Sequence, residues 1–377
     1  MPLNVTLASR NLFHDRLRFV ATMVGIVFSV VLVMVQMGLY LGFGQMVTKM
    51  IDHASADLWV VRKGTKCFED PSLLDANLHR ALSGTAGVAR VSTLVIGFSD
   101  WKLSSGEITP VFVVGSDLAQ DVLPPWNITQ GSVKDLTAPG AVAVDLSYDQ
   151  RLGVSKLGDK ADIRGHSVRV AALTEGIRSF TTTPYVFTDL GRARPYVGVP
   201  NNKASYFLIK LKPDANIETV RHDLLQTSSD IEALTSQQFS DRSRSFWLFG
   251  TGAGAALFAG ALLGVIVGTV IVAQTLYSST KDHIDEFATL RAIGSSNRYI
   301  YSVIMYQALI NAVIGFCLAA LIGYAVVRAT SAGALPVVIT PPLLAAIFTL
   351  TIAMCVVSAL AAILRVLRID PVMVFTR

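Results

Sequence analysis

Four apolar runs, each long enough to cross a bilayer, constrain this chain more than any other feature. They extend from Phe19 to Gly44, Phe249 to Tyr277, Tyr301 to Val327 and Leu343 to Leu364. About 20 predominantly apolar residues in a helix match the hydrocarbon thickness. The mean hydropathy of +0.51 and a charged share of only 16% agree, since soluble domains carry roughly a quarter charged residues. With their flanks, the spans are expected at 19–44, 248–280, 301–328 and 343–365. The first is about twice as long as the apolar part of a cleavable leader, and no small-residue cleavage pattern follows it, so it is expected to stay as a helix.

The charges assign sides. The segment Gln45 to Trp247 holds 22 basic and 22 acidic residues, so the net charge of +5 lies entirely outside it. Arg10, Arg16 and Arg18 precede the first span. Lys281, Arg291 and Arg298 lie between the second and third, and Arg365, Arg368 and Arg377 follow the fourth. Basic residues favour the cytoplasmic face. Both termini are therefore expected inside, with the long neutral segment and the short loop at 329–342 outside. No basic patch suggests a nucleic-acid partner. Residues 1–18 read equally as a cytoplasmic interfacial helix or as a plain positive flank.

Residues 45–247 are numerous enough to bury a core of their own. Apolar or alternating stretches bounded by turn residues predict strands at Ala56 to Arg62, Val88 to Phe98, Thr109 to Val114, Ala141 to Leu146, Val168 to Leu173, Tyr185 to Phe187 and Ser205 to Leu211. Helices are expected at Pro71 to Leu82 and Ile217 to Thr227, and a third at Ser236 to Phe246 is read as able to run straight into the second span. Loops are expected at Pro124-Pro125, Pro139-Gly140 and Pro195 to Pro200. The fold class is thus an α-helical membrane protein of four transmembrane helices, with an α+β extracytoplasmic domain inserted between helices 1 and 2. The pattern of helix 1 persists to about Ile51, consistent with a stalk beyond the bilayer.

Small residues recur every four positions in the second span, at Gly252, Ala256, Gly260, Gly264 and Gly268. Such a stripe lets another helix approach closely, within the chain or in a second copy. Gln36, in the first span, is read as a hydrogen-bonding group toward a neighbouring helix. Gly250 to Gly254 lacks the Lys-Ser/Thr of a phosphate loop, and no GxxxxGK[ST] occurs elsewhere, so the chain is not itself a P-loop ATPase. Neither metal-ligand spacing nor a GxSxG elbow is present, and neither a catalytic group nor a cofactor is expected. Cys67, Cys317 and Cys355 read as small buried hydrophobes. No Asp, Glu, Lys or Arg lies well inside a span, which argues against an ion-coupled carrier.

The polar island at 281–300 reads either as an ordinary interhelical loop or as a short helix at the membrane face. Ile284, Phe287, Ala288 and Arg291 would share one side, while Asp282, Asp285 and Glu286 point elsewhere. Gly294 would end this helix, and Ser295 or Ser296 would cap the next.

Three patterns resemble the MacB/FtsX-type (type VII) ABC transporter permeases. They are Ala8-Ser9-Arg10-Asn11-Leu12 with Arg16-Leu17-Arg18-Phe19 and Gly25-Ile26, the island's Asp285 to Ser295, and the closing Arg368-Ile369-Asp370-Pro371-Val372. Gln36-Met37-Gly38 and Ala56-Asp57-Leu58-Trp59-Val60-Val61 are most similar to the DevC-type exporter permeases, with weaker support from Leu152-Gly153-Val154 and Leu157-Gly158-Asp159. The resemblance implies a non-catalytic subunit of the bacterial inner membrane that passes the motion of a cytoplasmic ABC ATPase dimer to the external domain. It implies that Phe287, Leu290 and Ile293 enter an ATPase groove, that Glu286 and Arg291 flank it, that Asp285 belongs to the same ATPase-coupling element, and that Gly294 supplies the turn. A second permease copy, a periplasmic adaptor protein, an outer-membrane channel and membrane lipid are the implied partners, and an amphiphile the implied cargo. An FtsX-like signal transducer acting on a cell-wall hydrolase, a lipoprotein-release permease and a membrane-anchored enzyme remain the alternatives.

Overall fold

The computed structural model describes residues 16–282, 297–330 and 337–366. They form two compact units, which divide the chain at 42/43 and 253/254. Helix α1 is uninterrupted over Arg16–His53. Its 38 residues correspond to about 57 Å at 1.5 Å per residue, nearly twice the hydrocarbon thickness.

The domain that follows holds β1 (Leu58–Arg62), β2 (Leu74–Asp75), α2 (Leu78–Ser83), β3 (Val88–Lys102), β4 (Ile108–Ser116), β5 (Ile128–Gly131), β6 (Ala141–Asp145) and α3 (Asp149–Leu152). It continues through β7 (Lys160–Ile163), β8 (His166–Thr174), β9 (Tyr185–Asp189), α4 (Leu190–Val197), β10 (Lys203–Ala204), β11 (Tyr206–Leu211), α5 (Ile217–Gln226), β12 (Ile231–Thr235) and α6 (Ser236–Ser245). Nine strands run β12-β1-β11-β3-β4-β9-β6-β8-β5, with β7 pairing β3 and β8 to complete a ten-stranded sheet, and β10-β2 stands apart. The pairs β4·β9 and β6·β8 are parallel and the others antiparallel.

Strand β3 is the spine, because its period-2 pattern feeds two cores. Leu94 and Ile96 point into an aromatic core with Trp59, Phe68, Phe112, Tyr185, Tyr206 and Phe239. Val95 and Trp101 point into a second core with Val113, Val144 and Tyr196. A third lies under α2 and α5, around Leu58, Phe207 and Leu224. Burying aromatic side chains at this density is the main favourable term holding such a domain together.

Several sequence expectations need correction. Pro71 to Leu82 is not one helix, since Leu74–Asp75 pairs with Lys203–Ala204 and helix begins only at Leu78. Pro195 does not start a loop; it lies inside α4, which ends at Gly198 with a φ of 72°. Strands β5, β7 and β12 are additional, their short mixed stretches offering little period-2 contrast. Finally, α6 does not run straight on. A single π-type turn covers Phe246–Gly250, the Thr251 N–H reaches the Phe246 carbonyl at 3.1 Å, and Gly252 takes a φ of 77°. That left-handed conformation is open to glycine at little cost.

The other unit contains the first part of α1 with α7 (Ala253–Asp282), α8 (Asn297–Thr330) and α9 (Pro341–Val366). All four long helices have the length and hydropathy of membrane spans. Their shared core holds Met23, Ile26, Met34, Val272, Ile304, Ala312, Met354 and Cys355. Phe28, Leu262, Leu321 and Val357 face outward, as lipid-facing side chains do.

Candidate functional site

Asp285, Glu286, Phe287, Leu290, Arg291, Ile293 and Gly294 all lie outside the described residues, as do residues 1–15 and the closing Arg368 to Val372. The small-residue stripe is described, and its members part company. A methyl group on Gly260 would stand 2.8 Å from the Gln36 amide nitrogen, one on Gly264 3.1 Å from a Val33 methyl, and one on Gly268 would collide with the Ser29 hydroxyl. Ser29 Oγ donates to the Gly264 carbonyl at 2.6 Å. These three glycines therefore admit α1 of the same chain. Ala256 is exposed, and Gly252 precedes α7 with nothing near its missing side chain. Two further glycines, outside the stripe, do the same work: Gly25 is filled by Ile271, and Gly315 would place a methyl 2.5 Å from Ile26.

In the external domain, one constellation joins elements distant in sequence. The end of α1 presents Phe43, Met46 and Val47 to Phe180 and Trp247. Phe180 is edge-on to both aromatic partners, with ring centroids 5.3 Å from Phe43 and 4.6 Å from Trp247. Residues 175–183, the loop carrying Phe180, hang from β6. The buried Asp145 carboxylate accepts from Ile177 N at 2.7 Å, Thr174 Oγ1 at 2.9 Å and Ser147 N at 2.9 Å. Tyr148 OH accepts from Ser179 N at 3.0 Å. Lys49 Nζ donates to the Gly176 carbonyl at 2.7 Å, tying the same loop to α1.

Polar ties join α1 to α6. Asp52 accepts from Thr48 Oγ1 and Ser240 Oγ, both at 2.7 Å. Arg244 Nε donates to the Gly44 carbonyl at 3.4 Å. The segment between β1 and β2 closes the constellation. Tyr206 OH donates to the Phe68 carbonyl at 3.0 Å, and Phe68 N donates to Ser243 Oγ at 3.2 Å.

Glu69 is 7% exposed. Its Oε2 accepts from Trp247 Nε1 at 3.0 Å, while Oε1 is buried without a partner. Burial raises the Glu69 carboxyl to about 7, and the hydrogen bonds from Trp247 and from its own backbone N–H oppose that shift. Burial likewise pushes the neighbouring Cys67 thiol up to about 12 and raises the Tyr185 and Tyr206 phenols. Cys67, Tyr185 and Tyr206 are thus neutral packing groups, whereas Glu69 changes charge near neutral pH. No group of three or more metal-ligating side chains occurs among the described residues. Loop, helix ends and π-type turn are fastened at one place. The sequence hints were the break Gly250-Thr251-Gly252 and an acidic residue beside Cys67-Phe68, neither specific alone.

Residues 19–227 match the family described as MacB-like periplasmic core domain, and residues 248–371 match the FtsX-like permease C-terminal family. Comparison with curated proteins gives no match. Among solved structures, the chain is similar to the periplasmic region of MacB from Actinobacillus actinomycetemcomitans, at 11% identity and a TM-score of 0.39, over 51% of this chain and 94% of that one. It is similar to the extracellular domain of the noncanonic ABC-type transporter YknZ from Gram-positive bacteria, at 13% identity and a TM-score of 0.36, over 48% and 99%. A domain of a putative permease protein from Porphyromonas gingivalis aligns at 12% identity and a TM-score of 0.34, over 48% and 89%. The two family matches take in the long helices as well as the domain encoded between them, and the chain therefore belongs to the MacB/FtsX-type permeases of type VII ABC transporters.

Proposed function

We propose that this chain is the force-transmitting, non-catalytic subunit of an ATP-driven exporter in the bacterial inner membrane. Both termini and the island at 281–300 face the cytoplasm in this reading, where the island meets an ABC ATPase dimer. Two permease copies stand side by side. ATP-driven closure of the ATPase pushes on Phe287, Leu290 and Ile293, with Glu286 and Arg291 flanking, Asp285 in the same coupling element and Gly294 as the turn. Helix α1 carries the displacement outward to the domain at 45–247.

The observation that supports this most directly is the unbroken α1, about 57 Å of helix whose far end is fastened by Lys49, Asp52 and Phe43. A continuous hydrogen-bonded helix transmits an axial or tilting displacement without absorbing it, whereas a break takes up the motion as bending. Close glycine contacts between α1 and α7 stiffen the span in the same way. The DevC-like patterns favour export of an amphiphile, with a periplasmic adaptor, an outer-membrane channel and membrane lipid as the other participants.

The test is co-purification from native membranes. Phe287→Asp and Leu290→Asp are each expected to remove the ATPase from the purified complex while leaving the permease folded. A complex that survives both substitutions intact contradicts the contact assignment. Identification of the co-purifying proteins and lipids then separates export from signalling, an adaptor supporting the first and a cell-wall hydrolase the second.

A further inference from the structure

The Glu69 carboxyl is a buried ionisable group of the external domain that the force-transmitting reading does not use. Its surroundings explain neither a structural ion pair nor a satisfied hydrogen-bond site. Oε2 accepts from Trp247 Nε1 at 3.0 Å, yet Oε1 is sealed from solvent and, among the described residues, no other residue hydrogen-bonds to it; the carboxyl's other support is its own backbone N–H. Buried polar groups are normally paired, so each exception calls for an explanation.

The groups facing Glu69 are acids or weak acids. Cys67 and Asp70 flank it in the chain, Tyr206 reaches it from β11 and Tyr185 from β9, with Tyr148 beyond Tyr185. On the side of α6, Trp247 is the facing group, and it is neutral. Lys66, the nearby cation on the same segment, is exposed and sits 5.9 Å from the Phe246 ring centre. Among the described residues, no cation contributes to holding the Glu69 carboxylate. A protonated carboxyl suits this place, whereas an ionised one must draw in water or move outward, because burying an unpaired charge is costly.

What Glu69 holds makes the difference matter. Trp247 belongs to the π-type turn Phe246–Gly250, which Thr251 joins to the left-handed Gly252, and its ring also packs against Phe180. We propose that Glu69 is a proton-operated latch on Trp247, which when protonated keeps the π-type turn seated against Phe180 and Phe43 and when ionised admits water and loosens it. Glu69 acts through Trp247 and is a positioning residue. Its consequence for transport rests on the force-transmitting reading, but the latch itself can be measured without any ATPase.

The experiment uses the full chain in detergent, labelled with 5-fluorotryptophan, the Trp247 fluorine resonance being assigned by its loss in Trp247→Phe. In the wild type this resonance is expected to shift between about pH 5 and pH 8.5, with a midpoint near 7. In Glu69→Gln, which keeps an acceptor for the indole N–H but cannot ionise, the shift is expected to vanish. A Trp247 resonance that does not move with pH, or that titrates equally in Glu69→Gln, overturns the latch. Should Glu69→Gln fail to fold, Trp247→Phe provides the second arm. Removing the N–H that favours the carboxylate is expected to move the pH-dependent drop in thermal unfolding midpoint to higher pH, and an unmoved drop overturns the proposal. Failure of these tests leaves ATPase co-purification unaffected, so the two readings are separable.

Discussion

Phe180 meets Trp247 edge to face at 4.6 Å between ring centroids, with the rings 65° apart, which brings a loop suspended from β6 onto the turn that follows α6. Phe180 is also T-shaped to Phe43 near the end of α1. One side chain thus touches both helical entries to the external domain. Edge-to-face geometry sets the positive ring edge against the negative face and adds to simple burial.

Phe180→Ala is accordingly expected to destabilise the external domain by about 3–5 kcal/mol, the range for emptying a buried phenylalanine site. Urea unfolding of the full chain, followed through the external tryptophans, measures this. A loss well under 1 kcal/mol would show that the ring merely fills surface space.

Asp145 fixes the start of that loop by accepting from Ile177 N and from the Thr174 hydroxyl at the end of β8. Asp145→Ala leaves the buried Ile177 N–H unmatched, at roughly 1–3 kcal/mol, and strips the Thr174 hydroxyl of its shorter bond. The loop should then become the first site of cleavage in limited proteolysis, between residues 175 and 183. Cleavage confined to other loops would contradict its anchoring role.

The pH dependence follows from Glu69, whose carboxyl lies at about 7 in the folded chain against 4.5 for the free side chain. A raised acid means the folded state binds the proton more tightly. Its contribution is fully present below 4.5 and is lost as pH rises to about 7. At 1.36 kcal/mol per unit the loss is on the order of 3 kcal/mol, an upper bound for a site that water can enter. Thermal midpoints of the external domain should fall across that window in the wild type and stay level in Glu69→Gln.

The glycine stripe separates into two behaviours. Gly268→Leu must push a side chain into Ser29 and Met354, so a large fall in detergent melting temperature is expected, with loss of the Ser29 bond to Gly264. Gly252→Ala meets no neighbour but keeps a φ of 77°, and should cost only the left-handed penalty of about 1–2 kcal/mol. Equal effects at the two positions would mean that α1 does not lie against α7 as described.

The sequence made some of this architecture readable and concealed the rest for physical reasons. Long apolar runs announce themselves, since nothing else explains the stretch from Phe19 to Gly44. The strand Val88–Lys102 shows through its apolar run Leu94-Val95-Ile96, and reads only as far as Phe98 because Ser99-Asp100 breaks that run. Lys160–Ile163 and Ile128–Gly131 are short and mixed, and only their partners make them strands. Helix Leu190–Val197 was hidden by Pro195, which a two-turn helix tolerates because few of its N–H groups have partners within the helix. The break after α6 was masked by the apolar continuity of Phe246 to Phe249. Spacing gave no sign that Glu69 and Trp247 meet, for 178 residues separate them. Gly260, Gly264 and Gly268 were visible as a stripe, but only tertiary packing identified Gln36, Val33 and Ser29 as what fills it.

The central claim is that a push on the island at 281–300 moves the external domain. The most direct measurement places a spin label at Ser104, an exposed position between β3 and β4, in both permease copies of the reconstituted complex with its ATPase. The inter-label distance is then read with and without a non-hydrolysable ATP analogue. The account predicts a distance distribution that changes on nucleotide binding in the wild type and not in Phe287→Asp. A distribution indifferent to nucleotide in an intact, ATP-hydrolysing complex would contradict it.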